Sequence, residues 1–271
     1  MSKSDQELAF LYDLYVATDW GERFAELVNE HVELPKRGRM LYVASGTGGH
    51  ALAMQERAGD DVTLICVDES EECLELGRAK AMAVRADPLF QRTQLEALGF
   101  EDDQFDLVVG DASMVAVERL PEMLSEMVRV AAPGGTVALS LATSSSFGEF
   151  FSVYWEALRN AGISDHEHDV ESLITERPTV SAVEDMAERE GLENVTSWTQ
   201  IEEFDYESGE EFLNAPLITD FLLRGWLESL PEEADRARVL KEISQIIDAE
   251  RQDMDFALSV KASLIVGRKA T

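Results

Sequence analysis

The chain has 271 residues, 45% hydrophobic and 28% charged, a balance that fits one sizeable globular domain with insertions and excludes a disordered or membrane-embedded chain. Its 54 acidic against 23 basic residues give a formal charge of −31. Such a surface repels phosphate backbones and anionic bilayers, so neither nucleic acid nor membrane is an expected partner.

The opening "MSKSDQELAF" is acidic and polar where a secretory signal needs a basic stretch followed by an apolar one, and the expected location is cytoplasmic. Residues 5–31 carry Leu8, Leu11, Tyr12 and Tyr15 on one face and Phe24, Leu27 and Val28 on another, which predicts N-terminal helices ending at "LPKRG". From residue 40 to 143, short apolar runs rich in β-branched residues alternate with amphipathic segments: "MLYVA", "VTLICV", "FDLVVG" and "TVALSLA" are the expected strands of a parallel βαβ sheet. Leu89 to Arg92 add a weak strand after Pro88. A helix over 117–131 presents Leu120, Leu124, Met127 and Val128 on one side, and Pro133-Gly134-Gly135 turns into the next strand.

Beyond Thr143 a helix is expected over 146–161, a polar stretch "ISDHEHDVES" follows, and a second helix runs over 180–190 to Gly191. The last two strands are expected at 194–205 and 257–267, with mostly helical sequence over 208–254 between them. With no repeat and no Gly/Ser linker, the reading is one domain over 1–271: an N-terminal helical lid at 5–31, a cofactor-binding core at 39–143, and substrate-side caps at 144–180 and 208–254. Cys66 and Cys73 suit buried thiols, and neither they nor the four His have metal-site spacing, so no metal is expected.

The sharpest feature is the strand running into Ser45-Gly46-Thr47-Gly48-Gly49 and then a helix. Glycines permit the tight turn and let a ligand approach main-chain N–H groups at a helix N-terminus. Asp68 ends the next strand, where a carboxylate can accept from both hydroxyls of a ribose. By itself this loop fits a nicotinamide dinucleotide as well as an adenosyl cofactor. The downstream "LEALGFEDDQFDLVVGDAS" and "LPEMLSEMVRVAAPGGTVALSL" resemble the class I S-adenosylmethionine-dependent methyltransferases, which have such a fourth strand, a helix ending in a Pro-Gly-Gly motif, and a fifth strand.

The resemblance covers residues 39–143 and implies a Rossmann-like, doubly wound, mostly parallel seven-stranded α/β sheet with an antiparallel C-terminal strand. It also implies S-adenosylmethionine as cofactor, S-adenosylhomocysteine as product and a small-molecule methyl acceptor. Carried over by motif, Ala44, Ser45, Gly46, Thr47 and Gly48 form the glycine-rich loop, Asp68 holds the ribose, Glu69 beside it is also cofactor-binding, and Gln94 and Leu95 face adenine. Gly110, Asp111 and Ala112 border the methionine portion. The chain departs from the pattern at two positions: Tyr42 stands where the family usually has an acidic residue, and Ala44 replaces the first glycine.

Because the sulfonium supplies an electrophilic methyl, positioning can carry the reaction and a base is optional. Asp111 is the candidate catalytic base, with a helix N-cap as its competing role. His166 and His168 sit in a wholly polar segment and read as solvated loop residues, and His50 reads as a packing or surface residue. Phe147, Phe150, Phe151, Tyr154 and Trp155 either line an acceptor pocket or pack a helix on the sheet. Phe212, Leu217, Phe221, Leu222 and Trp226 serve either acceptor selectivity or a homodimer surface. Two rival functions remain: an NAD(P)-dependent oxidoreductase, for which no Tyr-x-x-x-Lys follows the fourth strand, and a non-catalytic S-adenosylmethionine-binding protein.

Overall fold

The computed structural model describes residues 3–59, 61–163, 166–230, 232–250 and 255–271. They form two compact units: Met1–Leu141 with Thr179–Thr199 and Ala262–Thr271, and Ala142–Pro178 with Gln200–Lys261. Among them no helix is long and apolar enough to cross a membrane. Both cysteines are free and buried.

The first unit opens with α1 (Asp5–Leu11), which Ser4 and Glu7 start with a reciprocal capping box. A π-helical segment, Tyr12–Gly21, and α2 (Glu22–His31) continue it. The expected helix over 5–31 is therefore present in extent, but its middle is wound as a π-helix, a rare geometry that side-chain periodicity does not announce. Buried Trp20 anchors this segment by donating its indole N–H to Ser113 Oγ at 3.0 Å.

The central strands are β1 (Gly38–Val43), β2 (Val62–Asp68), β3 (Leu89–Arg92), β4 (Phe105–Asp111) and β5 (Ala131–Ala142). Helices α3 (Gly49–Ala58), α4 (Glu71–Val84) and α5 (Leu120–Val130) connect them. After α8 (Val180–Arg189) come β6 (Leu192–Tyr206) and β7 (Phe256–Lys269), completing a seven-stranded sheet in the order β3-β2-β1-β4-β5-β7-β6. The first five strands pair in parallel and the C-terminal strands run antiparallel. This is the doubly wound architecture expected from the alternating pattern, with the order reversing beside β1.

Strand alternation divides the side chains between the faces. Leu41, Val43, Val108, Val137 and Leu139 join Leu124, Met127 and Val128 of α5 in one apolar core. Tyr42 and Asp111 therefore point to the opposite face. Gly110 explains the close approach of α5: a Cβ there would lie 2.7 Å from the Met127 sulfur. Pro133-Gly134-Gly135, expected as a turn before a strand, lies inside β5 as an irregularity that shifts the β4 register between Phe105 and Leu107. Gly135 is needed because a Cβ would meet the carbonyl oxygens of Ala132 and Phe105, both at 2.8 Å.

The second unit is built on α6 (Gly148–Asn160), α7 (Glu167–Glu176), α9 (Gly209–Asn214), a π-helical segment Leu217–Leu222, α10 (Leu223–Trp226) and α11 (Glu233–Glu250). The polar stretch after α6, expected to be irregular, instead forms α7, with Val170 as its fully buried anchor; residues 164 and 165 of that stretch lie outside the described residues. The core of this unit is aromatic. Phe150 stacks on Trp226 with centroids 4.2 Å apart, and Phe151, Tyr154 and Phe212 surround it within 6 Å. Of the two roles open to Phe147, Phe150, Phe151, Tyr154 and Trp155, the structure displays packing for the first four, which are buried together with Phe212 and Trp226, whereas Trp155 is half-buried.

Candidate functional site

A cavity of about 390 Å³ opens in the first unit between the N-terminal helices and the carboxyl ends of β1 and β4. Tyr12, Asp13, Asn29, Tyr42, Ser45, Thr47, His50, Lys80 and Asp111 contribute polar groups to its wall, and Ala17, Gly21, Ala25 and Ala53 contribute small apolar ones. Small residues on the helices leave the room, and the helices and strand ends together supply the polar groups. A shallower groove of about 610 Å³ in the second unit is lined by one face of α6, without converging charged groups from other elements.

The loop after β1 has the conformation its glycines allow. Gly46 and Gly48 have φ of 51° and 72°, and Gly48 caps α3 from the left-handed region. A Cβ on Gly46 would sit 2.7 Å from the Tyr12 ring, and one on Gly48 would sit 2.9 Å from Phe90. Ala44, where the family has glycine, is held at φ 54°, a conformation that costs a non-glycine residue roughly 1–2 kcal/mol. That strain is concentrated at the ligand-facing turn, as is usual for binding loops. Ser45 Oγ is buried on the cavity wall with no hydrogen-bond partner, a donor left over for a ligand.

Two carboxylates flank this loop. The β1 register pairs Val43 with Val67 and with Gly110, so Asp68 and Asp111 stand one residue further on, on either side of Ala44. Asp68 Oδ2 accepts from the Gly46 N–H at 2.8 Å, and Oδ1 from the Ser70 N–H at 2.9 Å. Burial pushes its carboxyl above the ordinary range, opposed by these N–H donors. Asp111 Oδ1 accepts from the Ser113 N–H at 3.0 Å, and burial raises its carboxyl too. No helix begins at Asp111; a turn at 113–114 follows, and the next helical segment is 3₁₀, at Val117–Arg119, so of its two expected roles the N-cap is absent.

On the N-terminal side, Tyr42 Oη lies 2.8 Å from His50 Nδ1, and His50 Nε2 lies 3.2 Å from Asn29 Oδ1. Burial, reinforced by the nearby Arg57 charge, lowers the His50 pKa to about 4, so the imidazole is neutral at pH 7. His50 was expected to serve packing or the surface, and its partner Tyr42 gave no signal in the sequence beyond being an unexpected residue. Asp13 pairs with Lys80 and accepts from Thr47 Oγ1 at 2.5 Å, tying the π-helical segment to the loop and to α4. The sequence offered no cue to that cluster, because Asp13 and Lys80 look like ordinary surface charges until the fold joins them.

The remaining expected residues are dispersed. Glu69 has its carboxylate engaged by Arg119 at 2.7 and 2.9 Å, a guanidinium that also holds Glu96. Gln94 is exposed and bridges Ala97, whereas Leu95 and Ala112 are buried in the apolar core. In the second unit, His166 pairs with Asp169 at 2.7 Å and His168 is exposed beside Glu171. Among the described residues no group of three or more His, Cys, Asp or Glu has metal-binding geometry.

Comparison with known proteins agrees with this architecture. Residues 40–135 match the family model described as a methyltransferase domain. The chain is 37% identical over 126 residues to a ubiquinone/menaquinone biosynthesis C-methyltransferase of Geobacter sulfurreducens, covering 44% of this chain and 48% of that one. It is 33% identical over 139 residues to a demethylmenaquinone methyltransferase of Renibacterium salmoninarum, covering 51% and 56%. The chain thus spans about half the length of the curated relatives it matches. Its fold is shared with the YcgJ protein of Bacillus subtilis (TM-score 0.61, 18% identity, 92% and 99% of the two chains covered). It is shared also with phosphoethanolamine N-methyltransferase 2 of Haemonchus contortus (TM-score 0.55, 16% identity, 99% and 59% covered). The core of this chain, residues 40–135, thus matches the methyltransferase-domain family in sequence, as the resemblance implied, within a fold that solved methyltransferase structures share.

Proposed function

We propose that this chain binds S-adenosylmethionine in the cavity of its first unit and catalyses methyl transfer to a small-molecule acceptor, releasing S-adenosylhomocysteine. The observation that carries the reading is the turn after β1: a positive-φ glycine loop whose Ser45 hydroxyl is unpartnered on the cavity wall, with Asp111 on that wall to one side and Asp68, tied to the Gly46 N–H, to the other. A nucleoside amino acid has matching groups, namely ribose hydroxyls for Asp68 and polar atoms for Ser45 and the loop N–H groups. Of the positions expected to contact the cofactor, Ser45, Thr47 and Asp111 line the cavity, and Gly46 is tied to Asp68.

When bound, the sulfonium supplies an electrophilic methyl group. The protein's part is to hold that methyl in line with the acceptor and to keep water out. Tyr12 covers Gly46 while the Asp13–Lys80–Thr47 cluster fixes the segment that carries it. Orientation of this kind lowers a barrier by roughly 7–11 kcal/mol, so no general base is required.

We assign acceptor selectivity to residues outside the matched domain at 40–135. The −31 charge favours an uncharged or cationic small acceptor over nucleic acid, and the two reduced, buried thiols fit a cytoplasmic location. Because the curated relatives are named for quinone methylation, aromatic quinols head the acceptors to test.

The test is incubation with methyl-labelled S-adenosylmethionine and a panel of quinols, phenols and amines. The expected result is label in one acceptor class, matched mole for mole by S-adenosylhomocysteine. Tight cofactor binding with no transfer to any acceptor would favour the non-catalytic alternative.

A further inference from the structure

With 54 acidic and 23 basic residues, this chain neutralises its well-placed cations internally. Arg119 is held by Glu69 and Glu96, Arg129 by Asp102 and Glu126, and Lys80 by Asp13. Arg177, directly after α7 in the second unit, has no such partner among the described residues. We propose that Arg177 anchors a binding site for an oxyanion, the carboxylate or phosphate group of a small ligand. The inference concerns the second unit alone and does not rest on the cofactor reading above.

Three observations carry it. First, the guanidinium is partly desolvated and unpaired. Its Nε is shielded from solvent without a hydrogen-bond acceptor, and no carboxylate among the described residues forms an ion pair with it. An unmade buried donor and an unpaired buried charge both cost stability, and burial accordingly lowers the Arg177 pKa. The residue as a whole is half-buried, so the rest of the group stays within reach of a solute.

Second, the guanidinium is held against an aromatic platform. Its carbon lies 4.9 Å from the centroid of the Phe147 ring, and that ring is fully buried and packed 5.1 Å from Trp226. A ring face attracts the cation while leaving N–H groups at its edge, the fork with which a carboxylate or phosphate pairs. The Ser144 N–H donates to the Pro178 carbonyl oxygen at 2.9 Å, which fastens the residue after Arg177 to the loop that carries Phe147.

Third, the surrounding charge does not supply the missing anion. Glu149, in the first turn of α6, is occupied by Ser259, whose N–H and Oγ donate to it at 3.3 and 2.7 Å. Glu176 is exposed and acts on Arg177 through its charge alone. Phe147 is also the residue from which α6 starts, with no side-chain cap, so the partial positive charge of a helix N-terminus adds to that of the guanidinium. A ligand oxyanion relieves this uncompensated cation.

The test follows thermal melting of the wild type, Arg177→Met, Arg177→Lys and Arg224→Gln in inorganic phosphate, in malonate and in sodium chloride at matched ionic strength. Chloride sets the baseline, because screening stabilises a chain of charge −31 in any salt. Phosphate or malonate should raise the wild-type melting temperature above that baseline by about 2–4 °C at several times Kd, and the larger of the two shifts names the group. Arg177→Met should lose the excess, whereas Arg177→Lys, which keeps the charge without the fork, should retain part of it. Arg224→Gln alters an exposed arginine of the same unit and should keep the excess in full. No excess over chloride in the wild type, or an equal excess in the wild type and Arg177→Met, would overturn the proposal. Loss of the excess in Arg224→Gln as well would also overturn it, as diffuse binding to arginines.

Discussion

Replacing Asp68 with Ala should weaken S-adenosylhomocysteine binding by about 2–4 kcal/mol, roughly 30- to 700-fold in Kd, while the protein stays folded. The carboxylate sits at the end of β2, already fixed by the Gly46 and Ser70 N–H groups, so it meets a ribose without reorganising. Its loss removes hydrogen bonds to a charged acceptor and also the tie that shapes the glycine loop. Folding should survive because burial makes the ionised Asp68 costly in the ligand-free protein. Isothermal titration reads the affinity and a thermal melt reads the fold; unchanged affinity would remove Asp68 from the site.

The same groups predict a pH dependence. The folded-state carboxyls of Asp68 and Asp111 are raised, so their contribution to ligand-free stability is complete below the ordinary aspartate pKa and is lost as pH rises through the folded values. Ligand binding needs the ionised forms. The increase in melting temperature given by S-adenosylhomocysteine should therefore shrink on acidification, beginning above the ordinary carboxylate range.

In the second unit, Phe150→Ala should cost about 3–5 kcal/mol. Phe150 is fully buried and its ring contacts those of Phe151, Tyr154, Phe212 and Trp226. Truncation leaves a cavity that rigid aromatic neighbours close poorly, and the stacking on Trp226 is lost as well. Denaturant unfolding followed by tryptophan fluorescence should show a lowered midpoint. If the midpoint is unchanged, the cluster is a loosely filled pocket rather than a core. Phe150 would then return to the acceptor-lining role that its sequence position also allowed.

The contrast between these two sites explains what the sequence revealed. The alternation of "VTLICV" and "FDLVVG" with amphipathic segments defined the parallel sheet, because period-2 and period-3.6 burial leave a direct mark on residue order. Even the short β3 was legible at Leu89 to Arg92, despite Pro88. The glycine loop was legible because positive φ favours one residue type, and Ala44 shows that the preference can be broken at a cost. By contrast, the π-helical winding of Tyr12–Gly21 leaves no such trace, and α7 was hidden because one buried Val170 organises an otherwise polar segment.

Contacts set by tertiary packing were the hardest to see. Asp13, Lys80 and Thr47 are distant in sequence, and nothing local ties Asn29 to His50 and Tyr42. At Glu69 and Gln94, whose motif positions suggested ligand contact, Arg119 engages the first and the second is exposed. Motif position does not determine what either side chain meets.

The most direct measurement is calorimetric titration of the wild-type protein with S-adenosylmethionine, S-adenosylhomocysteine, NAD and NADP under one buffer. The first unit's cavity predicts one site that takes both adenosyl amino acids and neither nicotinamide dinucleotide. A matching thermal melt at about 100 times Kd should show roughly 2.7 kcal/mol of added stability. Saturable binding of NAD or NADP, with no heat from either adenosyl ligand, would contradict the account.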